Sequence, residues 1–355
     1  MTTNRRWTLA RRPAGAVATA DFALVEAPWA PPVLAPGELL VRNRMFAVAP
    51  TIRNWLNAPG ASYRGSIPIG GTIGGMAGCE VVASADPAYP VGARLVAMSR
   101  WEDWSVLRPA AAPVPVFPVA TATSLEDALG VFSPNSLTAY FGLIDVGRPV
   151  AGETVVVSGA AGSVGSLVCQ IARLLGCRVI GIAGDPDKCR WLEEACGVEA
   201  TIDYRGEDVA ARLDALVPGG IDVFFDNVGG DLLQAAADRM ARHGRIVLCG
   251  QISAYDCAGG APGPSDMMKL VYGSIRMQGF VVGDYVDRAE EAHAALDRWI
   301  AAGDLVLRVD LRRGFEQLPA ALVDLFRGAN RGTLLVATGQ PAIEPPSTTN
   351  SAPVM

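Results

Sequence analysis

The stretch "VVVSGAAGSVGSLVCQIARLLGC", residues 155–177, passes from an apolar run through three glycines into apolar residues at helical spacing. A strand, a tight glycine turn and a helix in that order open a βαβ unit. Gly159, Gly162 and Gly165 stand where such a unit needs residues without a Cβ: in the turn, where backbone N–H groups approach a diphosphate, and where helix meets strand. The pattern A-x-G-x-x-G is a variant of the dinucleotide fingerprint, and its place inside a βαβ unit gives it weight. The helix is predicted over Ser163 to Leu175.

The alternation continues downstream. "CRVIGIAG", "ATIDY", "IDVFFDNV" and "GRIVLCG" read as strands, with helices from Pro186 and from Asp231. "RMQGFVV" and a helix through "YVDRAEEAHAALDRWIAA" extend the series to about residue 302. This predicts an α/β fold with a doubly wound parallel sheet. Upstream, residues 1 to about 125 are rich in Pro, Gly and short β-type runs such as "ELLVRNRMFAV" and "GARLVAM", which predicts a β-rich domain. "VLRPAAAPVPVFPVATATSL" carries four prolines and an arginine, so it reads as a linker and not as a membrane helix. Toward the end, "LVLRVDLRRGF" and "GTLLVAT" are strand-like and are expected to return to the first domain; "QPAIEPPSTTNSAPVM" reads as a disordered tail. The expected division is 1–128, 129–302, a return segment 303–340 and a tail 341–355.

A chain of 355 residues supports two sizeable cores. Half the residues are apolar, which excludes a largely disordered protein. The net charge of -6 provides no broad positive field for nucleic acid or an anionic membrane, so a small-molecule partner is expected. The seven cysteines are odd in number and several lie in core-like segments, which reads as a reduced, cytoplasmic chain. "NRRWTLARRPAG" has a twin-arginine look, but no uninterrupted apolar region follows before Asp21, so export is not expected.

The type of dinucleotide turns on the end of the second strand. Asp185 lies about 20 residues past the last glycine, where an acid binding a ribose 2'-hydroxyl indicates NAD. Yet Gly184 closes the strand, and Asp185 followed by Pro186 is a good N-cap with proline at the first helical position; the cap is the preferred reading. Lys188 and Tyr204, each just beyond one of two adjacent strands, then offer a point charge and a phenolic hydroxyl to a 2'-phosphate, or are surface decoration.

Several chemistries lack their residues. The only histidines are His243, expected after a helix end, and His293, inside an Ala-rich helix. Neither has a clustered partner and no C-x-x-C occurs, so no metal is expected. Ser158 lacks a G-x-S-x-G setting for a hydrolase. Direct hydride transfer to a polarised double bond needs neither metal nor histidine, because the cofactor supplies the reactive atom. "IGGTIGGMAG" looks like a phosphate cradle but precedes a strand, so it reads as turns of the β domain.

The run "AAGSVGSLVCQIARLLGCRVIGIAGDPDKCRWL", with "IDVFFDNVGG", "GQISAYD", "GFVV" and "GANRGTLLV", resembles the zinc-independent medium-chain dehydrogenases/reductases, in the group of leukotriene B4 12-hydroxydehydrogenase, prostaglandin reductase and alkenal reductase. The resemblance runs in order from "VAPTIRNWLN" to "GTLLVAT". It implies a GroES-like catalytic domain around a Rossmann domain, a homodimer, and NADPH as cofactor. Gly162, Ser163, Val164 and Gly165 form the diphosphate turn, and Lys188 and Tyr204, beside Gly184, match the 2'-phosphate contacts. Asn330 matches a further cofactor contact, Thr138 and Ala139 the segment beside the nicotinamide, and Asn227, Phe280 and Val282 the same side. Tyr63 and Tyr255 match tyrosines near the substrate in some members.

The chain also departs from the group. "VAPTIRNWLN" stands where D-P-x-M-R-G is usual, keeping Arg53; Asn135 and Ser136 stand where M-P-G is common; Thr333 replaces the usual lysine. The expected reaction delivers hydride from NADPH to the β-carbon of an α,β-unsaturated ketone or aldehyde, and the resulting enolate is protonated at the α-carbon. Tyr255 is the expected donor to the carbonyl oxygen, since a phenol of pKa ~10 is protonated at neutral pH, and Tyr63 orients substrate or excludes water. Arg53 is expected to be structural and not a grip for an anionic substrate. The alternatives are quinone reduction, a biosynthetic reductase of an unusual conjugated or imine intermediate, and an NADPH-binding sensor without turnover.

Overall fold

The computed structural model describes residues 2–60, 65–255 and 263–339. The first strands, β1 (Thr2–Leu9) and β2 (Phe22–Trp29), pair antiparallel as a separate ribbon. They are followed by β3 (Leu39–Ala47), the short helix α1 (Thr51–Trp55), β4 (Gly74–Ser84), β5 (Arg94–Arg100), β6 (Trp104–Leu107) and β7 (Phe117–Val119). The stretch expected to be a linker therefore contains a strand. β7 pairs antiparallel with β5 at the sheet edge, a place where Pro118 costs no ladder bond.

Two helices, α2 (Leu125–Val131) and α3 (Pro134–Phe141), lead onward, the latter continuing as π-helical turns over Gly142–Gly147. Then come β8 (Thr154–Ser158), α4 (Ser163–Leu174), β9 (Arg178–Ala183), α5 (Pro186–Glu194), β10 (Ala200–Asp203), α6 (Val209–Leu216), β11 (Ile221–Asp226), α7 (Gly230–Ala237) and β12 (Met240–Leu248). After α8 (Met268–Gly273), β13 (Arg276–Gly279) and α9 (Ala289–Ala301), the chain closes with β14 (Val309–Arg313), α10 (Leu318–Phe326) and β15 (Thr333–Ala337).

Six of these strands form a parallel sheet in the order β10-β9-β8-β11-β12-β13, the doubly wound Rossmann arrangement that the alternation predicts. Helices cover both faces, so its central strands are apolar on both sides: Val155, Val157 and Phe225 enter one core, Val156 and Phe224 the other. The second sheet, β14-β15-β3-β4-β5-β7 with β6 on β3, is mixed. β15 joins it antiparallel to β3, so the last strands do return to the N-terminal part. An isolated bridge between Gly162 and Gly332 ties the glycine turn to the start of β15. His243, expected directly after a helix end, instead lies six residues past α7, within β12 in a left-handed conformation (φ 65°), because α7 already ends at Ala237. Among the described residues no helix is long and apolar enough to cross a membrane.

Candidate active site

A cleft of about 900 Å³ runs between the two sheets along the carboxyl ends of β8 and β11, where the strand order of the parallel sheet reverses. At its centre Gly159 turns with φ 59°, a conformation that favours glycine. A Cβ on Gly165 would stand 2.3 Å from the Gly159 carbonyl oxygen, and one on Gly162 3.2 Å from it, so α4 starts against β8 only because side chains are missing there. The first N–H groups of a helix have no intrahelical partner, and Gly162, Ser163, Val164 and Gly165 all line the cleft.

Lys188, Tyr204 and Gly184 meet at one end of this cleft. A Cβ on Gly184 would overlap the Tyr204 ring at 2.6 Å, so the glycine makes room for the tyrosine. Asp185 Oδ1 accepts the Lys188 backbone N–H at 2.9 Å, which is the N-cap geometry preferred from the sequence. Lys188 Nζ donates to the Gly328 carbonyl oxygen at 2.6 Å. Burial lowers the pKa of its ammonium group, with Asp185 opposing the shift and Arg205, Arg331 and Arg308 adding to it. The last three arginines were not singled out from the sequence, although Arg205 and Arg331 adjoin Tyr204 and Asn330; nothing in a single chain marks which surface cations converge.

Beyond the turn, Asp226 closes β11 with its carboxylate buried. It accepts the Ser158 hydroxyl at 2.7 Å and the N–H groups of Val228 (3.1 Å) and Gly229 (3.0 Å), and burial raises its pKa. Those bonds set the turn that presents Asn227, whose Nδ2 donates to the Ser158 carbonyl oxygen at 2.7 Å. Thr138, Asn227, Phe280, Val282 and Asn330 line the cleft, whereas Ala139 is fully buried in the core behind it. Asn330 Nδ2 donates to the Gly332 carbonyl oxygen at 2.9 Å.

Tyr255 lines the same cleft, its ring 6.4 Å from that of Phe326; Trp55, Met76 and Met98 are also in the wall. Tyr63 lies outside the described residues. Of the departures from the group, Ala49, Ile52, Asn54 and Asn135 face the cleft, beside the retained Pro50. Ser136 does not: it is buried, and its hydroxyl donates to the Ser133 carbonyl oxygen at 2.8 Å. Arg53 is buried as well, donating to the Gly15 carbonyl oxygen at 2.8 Å and to Asn57 Oδ1 at 2.5 Å, a structural role as expected.

Among the described residues no three His, Cys, Asp or Glu side chains are grouped to hold a metal ion. His293 lies between the rings of Phe117 and Phe132, each 4.8 Å away and edge-on, and burial lowers its pKa to about 4. Neither described histidine therefore stands in a cluster of the kind zinc needs. The cleft fits a dinucleotide: a helix start flanked by Gly162 and Gly165, a cationic end, and an apolar end with a phenol.

Residues 163–300 match the family model described as zinc-binding dehydrogenase, and residues 5–114 the N-terminal domain of oxidoreductase. The NADPH-dependent curcumin reductase of Escherichia coli is 34% identical over 94% of this chain and 96% of its own length. Prostaglandin reductase 1 of Bos taurus is 33% identical over 94% and 98%. The crystal structure of CurA in complex with NADPH from Vibrio vulnificus superposes with a TM-score of 0.87 at 36% identity, covering 95% of this chain and all of that one (100%). With its cleft, its two sheets and relatives aligned over nearly their whole length, the chain belongs to the medium-chain dehydrogenase/reductase family, in the enone and alkenal reductase group.

Proposed function

We propose that the protein is an NADPH-dependent oxidoreductase that reduces the carbon–carbon double bond of an α,β-unsaturated ketone or aldehyde without a metal. The observation that carries this reading is one continuous cleft joining the Gly162–Gly165 turn, the Lys188–Tyr204 end and Tyr255. Bound NADPH supplies the hydride for the β-carbon. The chain's own residues do the rest. Gly162, Ser163, Val164 and Gly165 hold the diphosphate; Lys188 and Tyr204 hold the 2'-phosphate; Asn330 adds a further cofactor contact. Thr138, Asn227, Phe280 and Val282 wall the nicotinamide side and exclude water, with Ala139 supporting Thr138 from behind. The Tyr255 hydroxyl donates to the carbonyl oxygen, where negative charge develops, and Tyr63 orients the substrate.

Two further parts of the reading concern assembly and place. We infer a homodimer formed along β13, one of the two edge strands of the parallel sheet, beside the exposed Met267, Met268, Val271 and Tyr272. We infer a cytoplasmic protein, since five of the six described cysteines are buried and all six are free thiols. The test of function is NADPH consumption with a panel of enones and enals, with NADH beside it and the products identified. Saturated ketones or aldehydes formed with a preference for NADPH support the reading; allylic alcohols, or a preference for NADH, overturn it.

A further inference from the structure

Tyr204 is followed by Arg205, whose Nη2 donates to the Arg327 carbonyl oxygen at 3.0 Å. Lys188 Nζ donates to the next carbonyl oxygen along, that of Gly328, at 2.6 Å. Two consecutive acceptors thus hold an ammonium and a guanidinium side by side. A Cβ on Gly328 would stand 3.4 Å from Arg205 Nη2 and 3.9 Å from Lys188 Nζ, so both heads face the same glycine, and Gly328 lines the cleft. Neither cation forms an ion pair among the described residues. The nearby acids are occupied elsewhere. Arg331 lies 3.2 Å from Asp187 and 3.8 Å from Asp185, whose Oδ1 also caps Lys188 N–H. Asp203 Oδ1 accepts the Arg205 backbone N–H at 3.1 Å, and Glu207 pairs with Arg212 at 2.7 Å.

We propose that Arg205 is a third binding residue for the 2'-phosphate, acting with Lys188 and Tyr204, and that Arg331 serves it by neutralising Asp185 and Asp187. The inference rests on the NADPH reading above and goes beyond it by assigning a residue to the choice between NADPH and NADH. A phosphate monoester carries between one and two negative charges at neutral pH, more than a single lysine balances. The guanidinium adds a charge and a planar fork suited to phosphate oxygens. Its distal nitrogen is already anchored on a carbonyl and its Cζ lies over the Tyr204 ring, 5.7 Å from the centroid, so little freedom is lost on binding.

The experiment measures binding of two fragments, 2',5'-ADP and 5'-AMP, by calorimetry to the full-length wild type and to Arg205→Gln, Arg205→Lys and Lys188→Ala. Arg205→Gln is expected to weaken 2',5'-ADP about tenfold, the size of one charge-assisted contact, and to leave 5'-AMP within about twofold. Arg205→Lys, which keeps the charge, is expected to restore most of the loss. Equal weakening of both fragments, or of neither, overturns the assignment. The two readings fail separately: a wild type that does not prefer 2',5'-ADP contradicts NADPH itself, whereas a preference lost in Lys188→Ala but intact in Arg205→Gln contradicts only the role of Arg205.

Discussion

Thr333 Oγ1 lies 2.8 Å from Ser163 Oγ, the same oxygen that accepts from Asn135 Nδ2 at 3.2 Å. Two of the positions at which this chain departs from its group are therefore joined through one hydroxyl at the first residue of α4. Together with the Gly162–Gly332 bridge they fasten the glycine turn to α3 on one side and to β15 on the other. Thr333, where lysine is usual in the group, thus helps to position the turn. Replacing Thr333 with Val keeps the shape and removes the bond. Loss of one buried neutral hydrogen bond is worth about 1 kcal/mol, so NADP+ affinity is expected to fall about fivefold, measured by fluorescence titration.

The glycines of the cleft differ in what a methyl group meets, and this separates folding from binding. In Gly165→Ala the new carbon faces backbone 2.3 Å away, which cannot yield, so a clear drop in melting temperature is expected. In Gly184→Ala it faces the ring of Tyr204, which is 42% exposed and free to swing outward. That variant is expected to keep its thermal stability and lose affinity for NADPH while NADH binding is unchanged. Thermal unfolding and cofactor titration on the same samples check both outcomes.

Tyr255→Phe removes a hydroxyl and little else. If it stabilises the developing oxyanion, kcat is expected to fall about 100-fold, the usual cost of deleting one such donor, with KM for NADPH unchanged. Steady-state kinetics on the best enone decide it; an unaltered kcat would remove Tyr255 from the chemistry.

His293 makes acid stability a readout of the contact between α9, α2 and β7. Its folded pKa of about 4 is below the ordinary 6.5, so between these values the unfolded chain binds a proton that the folded one does not. The stabilisation is complete above about 6.5 and is lost as pH falls toward 4. Urea unfolding of wild type and His293→Leu over that range is expected to show a steeper acid limb for the wild type.

The sequence made the parallel sheet legible because each strand and helix there repeats a local pattern, and the glycine turn is a local backbone requirement. The Asp185 cap was readable for the same reason: a capping side chain, a proline and three residues settle it. What escaped reading depends on residues distant in the chain. Strand β7 was hidden by Pro118 and the prolines before it until β5 gave it a partner, and His243 was misplaced because the end of α7 carries no strong stop signal. The pairing of Ser163 with Thr333, 170 positions apart, and the convergence of Arg205 with Lys188 on adjacent carbonyls have no local pattern at all. Ala139 shows the same limit in reverse, since a motif position gives no sign of which side of a wall it occupies.

The most direct test of the account is the fate of an isotope. With NADPH carrying deuterium at both positions of the reactive carbon of the nicotinamide and a conjugated enone as substrate, NMR of the product is predicted to show one deuterium on the former β-carbon and a hydrogen from solvent on the α-carbon. Deuterium on the carbonyl carbon of an alcohol would contradict it, as would a saturated product free of the label.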